Sequence, residues 1–305
     1  MARYIIRRVF EFIPVLLVIV TLTFFMVRLA PGGPFDAERA VSPQTLRQLE
    51  AQYNLDAPLY QQYFNYLGNL VRGDLGPSFR KPSLTVRQWI ALRLPVSIEL
   101  GAYGLLVALG LGLTAGLVAA LKPNSALDYT PMTLAMVGIC VPNFVLGPLL
   151  VLIFAMWLGW LPVAGWETPA HRILPAITLG MMFAAYIARL TRGGMLEILA
   201  QDFIRTARAK GLSEARVVLR HGLRGGIQPV VSFLGPATAG LLTGSFVVET
   251  IFQVPGLGRE FIQGAFNRDY TMIMGLVLFY ATLILVLNLI VDILLAWLDP
   301  RVRYE

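Results

Sequence analysis

Between residues 205 and 226 the sequence reads RTARAKGLSEARVVLRHGLRGG, with Arg205, Arg208, Lys210, Arg216, Arg220, His221 and Arg224 set against one acid, Glu214. Cations at this density can hold phosphates, anionic headgroups or the acidic side chains of another protein. Other groups with chemical scope are few. Glu249 and Asp292 lie in apolar stretches, where an acid is a functional suspect by default. Either could instead sit near an interface or pair with a helix end. There is no G-x4-G-K-[ST] loop to cradle a nucleotide. An H-E-x-x-H pair is also missing, and nothing resembles an activated nucleophile. Two His and one Cys argue against a protein-built metal site or a disulfide framework. Cys140 reads as a small buried hydrophobe.

The elements that must position these residues are hydrocarbon-rich. Of 305 residues, 56% are hydrophobic and 14% charged, against about a quarter charged in soluble domains. The chain is therefore an integral membrane protein of the all-α class. A spanning helix needs about 20 mainly apolar residues. Six stretches qualify: Val9–Ala30, Val96–Leu121, Pro131–Leu161, Ile173–Leu190, Ile227–Ile251 and Met272–Leu298. The third is long enough to tilt or break, and Pro142 and Pro148 lie inside it. Pro14, Pro175 and Pro236 interrupt or open others, as membrane helices allow when neighbours satisfy the freed backbone groups. The first stretch follows Arg3, Arg7 and Arg8 but ends in LAPGGP rather than a cleavage site, so it reads as a retained anchor.

The net charge of +7 fits positive-inside loops better than nucleic acid. Short segments on the N-terminal side of the membrane hold most of the Lys and Arg. The short loops on the other side hold only Arg172, Arg259 and Arg268. Both termini are thus expected in the cytoplasm. The long loop between the first two spans escapes the rule. Within it, Leu59, Tyr63, Tyr66 or Leu67, and Leu70 recur at helical spacing, with Gly73 and Gly76 closing the segment. That helix either packs on the outer membrane surface or docks a soluble partner. Gly112 with Gly116, and Gly240 with Gly244, carry the spacing that lets helices approach closely.

In the basic stretch, Gly211 suits the left-handed position that ends a helix, and Ser213 suits the N-cap of another. On that second helix Arg216, Arg220 and Arg224 form one stripe. Ala215, Val218, Leu219 and Leu223 take the other side. A topogenic loop lying on anionic headgroups needs the charge. It does not need the capped bend, whereas a groove that accepts a short helix does.

The bent element resembles the cytoplasmic coupling motif of binding-protein-dependent ABC importer permeases, E-A-A-x3-G-x9-I-x-L-P. The aligned residues are Arg205, Thr206, Ala207, Gly211, His221, Leu223 and Arg224, of which Ala207, Gly211 and Leu223 match the general pattern. The departures look like the variant of the peptide-importing branch. RLAPGGPF, GDLGPSF, RLPVSIELG, ILPAITLG, VVETIFQVPGLGREFIQGAFNRDY and LDPRVRY extend the likeness along essentially the whole chain, to the first (B-type) permease of oligopeptide importers.

The resemblance implies a six-helix type I ABC importer permease bundle with a cytoplasmic coupling helix. It divides the chain into an anchor (1–30), an extracytoplasmic loop region (31–92), a transmembrane domain (93–298, coupling element 200–224) and a cytoplasmic tail (299–305). It implies a non-catalytic subunit of a bacterial inner membrane, with no cofactor of its own. The partners would be a second homologous permease, two cytoplasmic ABC ATPases that use ATP and Mg, and an extracytoplasmic peptide-binding protein. Coupling would fall to Arg205, Ala207, Arg208, Gly211, Leu212, Arg216, Arg220, His221 and Leu223. The turn carrying Glu249, Pro255, Gly256 and Gly258 would be an outer gate or cargo contact, or simply a loop that Pro255, Gly256 and Gly258 bend. Dipeptides, murein peptides, nickel or glutathione remain alternatives to oligopeptides. Of other classes, an ion-coupled secondary transporter would use Glu249 and Asp292, but the chain shows no internal repeat of the kind such transporters often carry. A scaffold would not need Pro-broken spans, and an intramembrane enzyme would need more catalytic groups.

Overall fold

A computed structural model of the chain describes residues 2–30, 33–35, 44, 48, 51, 53–243 and 245–298. The expected tail 299–305, Gly244 and parts of the first loop lie outside them. The fold is all-α, and among the described residues its one β feature is an isolated bridge between Pro77 and Thr85. Five helices are long and apolar enough to cross a membrane, and a bent pair supplies a sixth span.

Two compact units divide the chain, Met1–Pro95 with Gly256–Leu285 and Val96–Pro255 with Val286–Glu305. The first contains α1 (Ala2–Leu29), α2 (Leu59–Val71), the start of α3 (Val86–Leu121), α10 (Leu257–Phe266) and most of α11 (Tyr270–Leu298). α2 forms where the Leu/Tyr spacing placed it, and Gly73 and Gly76 follow it at φ 75° and 79°, a region glycine enters without strain. Its Tyr63 and Tyr66 rings pack on Phe24 of α1. Asp269 organises the far side of this unit. It is 2% exposed and caps α11 by accepting the Met272 N–H at 3.1 Å. It also accepts the Ser78 hydroxyl and the Phe79 N–H, which ties the GDLGPSF loop to that helix start.

The second unit is built around α6 (Ile173–Leu199), which carries Leu174, Leu179, Phe183, Ala184 and Ile187 into the main core. α3 lies against it through small residues. A Cβ on Gly112 would come within 2.7 Å of the Ala184 carbonyl oxygen. α4 (Ala126–Cys140) and α5 (Asn143–Leu150), the latter continued by a π-helical turn Val151–Trp157, meet at 111°. The break follows from Pro142: the ring forces Val141 out of the helical region, to φ −89°, ψ 114°. Cys140, expected in the interior, is exposed, like Met136 and Val137 on the preceding turn of α4. Pro14 and Pro236 do not interrupt; α1 and α8 (Gln228–Thr243) run through them. α9 (Phe246–Ile251) completes the fifth span beyond Ser245.

Candidate functional site

The basic stretch folds as a two-armed hairpin between α6 and α8. Its first arm is α7 (Asp202–Ala209), with Asp202 in the first turn and Arg208 in the last, the charge order a helix dipole favours. Ile204 and Ala207 face inward while Phe203, Arg205 and Arg208 are exposed. The arm ends in a Schellman cap: the Gly211 N–H donates to Arg208 O at 2.9 Å and the Leu212 N–H to Ala207 O at 3.4 Å. Gly211 has φ +76°, and Leu212 folds back onto Ile204, Ala207 and Val217, the apolar contact such caps carry. Ala207 is thus spent on holding the bend together, and Gly211 stands at its exposed apex.

The second arm begins at Ser213. Its backbone takes the N-cap conformation, but its hydroxyl makes no cap bond. After one α-turn, Glu214–Arg216, the helix widens to π geometry over Val217–Gly222 and returns to α at Leu223–Gly226. This corrects the register expected from a 3.6-residue repeat. A π-turn, with its i→i+5 hydrogen bonds, is wider than an α-turn, so Val217 and Gly222 share the buried side with Val218, while Ala215 and Leu219 are exposed. Arg216, Arg220 and Arg224 are exposed, His221 and Leu223 half-buried. Leu223 packs with Ala120, Met195 and Val218. Across the turn Arg208 meets Glu214 at 2.8 Å, an exposed pair worth at most about 1 kcal/mol.

The hairpin is joined firmly to α6. Gly226 and Gly194 bring the two backbones into contact, so that a Cβ on Gly194 would overlap the Gly226 carbonyl oxygen. Ile198 and Leu199 of α6 join the core under the bend. The outward surface combines bare apolar groups, Phe203 at 50% and Leu219 at 58% exposure, with a ring of arginines. Such a surface performs no bond chemistry; it can seat in a groove and move as one piece with α6.

The second candidate set does not form one loop. Glu249 is fully buried in α9, where the Ser97 and Ser245 hydroxyls both donate to its Oε1, at 2.8 and 2.7 Å. The turn after α9 is made by Gln253, at φ 53°, and Val254 N–H donates to Glu249 O. Pro255, Gly256 and Gly258 do not supply the bend as expected. Gly256 is extended, at φ −99°, ψ −178°, and caps α10, and Gly258 lies within that helix, buried. Asp292 is half-buried in α11.

Two groupings were not read from the sequence. Asp128 and Arg192 form a two-pronged ion pair, each contact 2.6 Å, that pins α4 to α6. They stand far apart in sequence, and a single chain gives no signal for the pairing. Asp269 was legible in part, as a capping residue just ahead of an apolar run.

Five long apolar helices and a bent pair define a class: an integral membrane protein of the all-α kind. The chain belongs to the binding-protein-dependent transport system inner membrane components, whose family description matches residues 112–304, with the N-terminal part of such membrane components matched over residues 1–100. It is 48% identical to the oligopeptide transport system permease protein OppB of Haemophilus influenzae and to that of Escherichia coli, over the full length of both chains in each case. Against the dipeptide transport system permease protein DppB of Bacillus subtilis the identity is 44%, over 99% of this chain and 98% of that one. Among solved structures, an amino acid ABC transporter superposes with TM-score 0.54 at 18% identity, over 68% of this chain and 93% of the other. The MetNI methionine ABC transporter, facing inward, gives 0.56 at 15%, over 70% and 97%. At such identities the structures speak for the fold alone.

Proposed function

We propose that the chain is the transmembrane permease subunit of an ATP-driven importer of peptides, oligopeptides first. The full-length 48% identity to oligopeptide permeases carries this reading. The subunit binds no cofactor. It forms the pathway with a second homologous permease, accepts cargo from an extracytoplasmic peptide-binding protein, and rests on two cytoplasmic ABC ATPases that consume ATP and Mg. It lies in a bacterial inner membrane with both termini in the cytoplasm, so that the basic hairpin faces the ATPases.

Coupling follows from the hairpin's construction. Phe203 and Leu219 enter an apolar groove on the ATPase, while Arg205, Arg208, Arg216 and Arg220 meet acids at its rim. Rim charges set encounter more than affinity, so the apolar pair carries the force. Closure of the ATPase pair displaces the hairpin, and the Gly194–Gly226 contact delivers the displacement to α6.

The test is co-purification of the tagged chain with its genetic neighbours in mild detergent, followed by ATPase assay with the binding protein and peptide. A second permease and two ATPases should accompany the chain. Gly211→Trp, with a bulky group at the apex, should abolish peptide-stimulated turnover while the chain still reaches the membrane. Intact coupling in that variant would remove the hairpin from the mechanism.

A further inference from the structure

At the end of α1 a basic side chain is largely withdrawn from water and meets no acid among the described residues. The Arg28 guanidinium lies 3.7 Å from the centroid of the Phe24 ring. Its Nε donates to Gln62 Oε1 at 2.9 Å, and an Nη reaches Met274 Sδ at 3.5 Å. All three partners are neutral, and among the described residues no carboxylate pairs with it. Gln62 is itself fixed, donating to Leu55 O and Ala57 O. Nearby, the Tyr66 hydroxyl is buried and has no hydrogen-bond partner among the described residues. Burial pushes this phenol up to about 12, against the opposing pull of Arg28. A cation with only neutral partners and a buried hydroxyl with none are each costly to leave so.

Arg28 and the Tyr66 side chain line one cavity of about 380 Å³, together with Asn54, Asn65 and Asn69, and the Tyr66 hydroxyl itself is closed off from it. Its size falls within the range of small-molecule sites, about 300–1,000 Å³. Asp74 also lines it, with Oδ1 accepting the Gly76 N–H at 2.9 Å.

We propose that this cavity is an anion site that takes one carboxylate group of a peptide, held by Arg28. The guanidinium matches a carboxylate in geometry and charge. A phosphate dianion would face a single cation with Asp74 beside it, which is poorer compensation. Asparagine amides both donate and accept, as a peptide backbone requires. The choice of a peptide as ligand rests on the import reading; the anion chemistry does not.

The experiment is calorimetric titration of the full-length chain in phosphatidylcholine nanodiscs, without nucleotide or binding protein, using trialanine and trialanine amide. The two probes share the amino terminus and differ in the carboxylate. Trialanine should bind, and amidation or Arg28→Gln should weaken it by about tenfold or more, the scale of losing one buried charge partner. Arg28→Lys keeps the charge but loses the planar fork and should cost a few-fold, so the proposal stays testable if Arg28→Gln does not fold. Equal binding of acid and amide, no heat from trialanine, or wild-type affinity in both variants would overturn it. So would loss of trialanine binding when phosphatidylglycerol is added to the discs, which would assign the cavity to a lipid headgroup. Peptide-stimulated ATP hydrolysis by the co-purified complex, measured alongside, separates the two claims. Turnover with a silent titration removes only the anion site, whereas carboxylate-dependent binding without turnover removes the import reading.

Discussion

Two hydroxyls, those of Ser97 and Ser245, converge on one oxygen of Glu249 in the interior of the second unit. An acid so placed can be a cargo or ion ligand, or a clamp between α3 and α9. Substitution separates these roles. A glutamine at 249 keeps an oxygen that accepts both hydroxyls; a leucine leaves two buried donors without that acceptor, at about 1–3 kcal/mol each. Peptide uptake by Glu249→Gln should therefore stay near wild type, whereas Glu249→Leu should lower the melting temperature in detergent. Loss of uptake in the glutamine variant, with melting unchanged, would restore Glu249 as a functional acid. Gly211 gives the complementary case. No atom lies within 4 Å of a Cβ built there, so the cost of Gly211→Ala is conformational, about 1–2 kcal/mol for a left-handed residue. That variant should retain the subunit assembly and lose only part of its coupling, measured as peptide-stimulated ATPase activity.

At several glycines, elements approach here backbone to backbone. α3 packs on α6 at Gly112, whose Cβ would strike the Ala184 carbonyl and Ile187, while Gly110 of the same helix has nothing within 4 Å. Gly112→Ala should destabilise by about 1–3 kcal/mol through overpacking. Gly110→Ala should be neutral or stabilising by up to about 1 kcal/mol, as helix propensity dictates. Thermal unfolding in one detergent checks both, and equal shifts would mean that this helix contact is not formed. Local signals made much of this architecture readable. The proline that follows Val141 at the corner, the tyrosine spacing of α2 and the glycine at the hairpin apex each act on neighbouring backbone, so sequence alone exposes them. The misread features are of two other kinds. The π-turn at Val217–Gly222 changes the helical period without a signature residue, which put Leu219 and Ala215 on the wrong side. The turn after α9 falls on Gln253, a residue with no special tolerance for positive φ, while the obvious glycines serve α10. Pairs such as Asp128 with Arg192, or Arg28 with Gln62, join distant segments and exist only once the chain is folded.

At the scale of the molecule, the exposed surface is itself evidence of how the subunit works. α1 presents Ile6, Phe10, Ile13, Leu17, Leu22 and Met26 outward, and α4 presents Leu134, Met136 and Val137. Acyl chains or the helices of another subunit must cover such faces. Among the described residues there is one bent pair; the proposed half of a shared pathway needs no more, whereas an ion-driven carrier often has paired broken helices. The two designs predict different requirements. In liposomes the purified chain alone should move no peptide under a proton or sodium gradient. With the second permease, both ATPases and the binding protein, uptake should appear, require ATP and Mg, and persist when the ion gradients are collapsed. Uptake by the lone chain on an ion gradient would overturn the ATP-driven reading and return Glu249 and Asp292 to the centre of the mechanism.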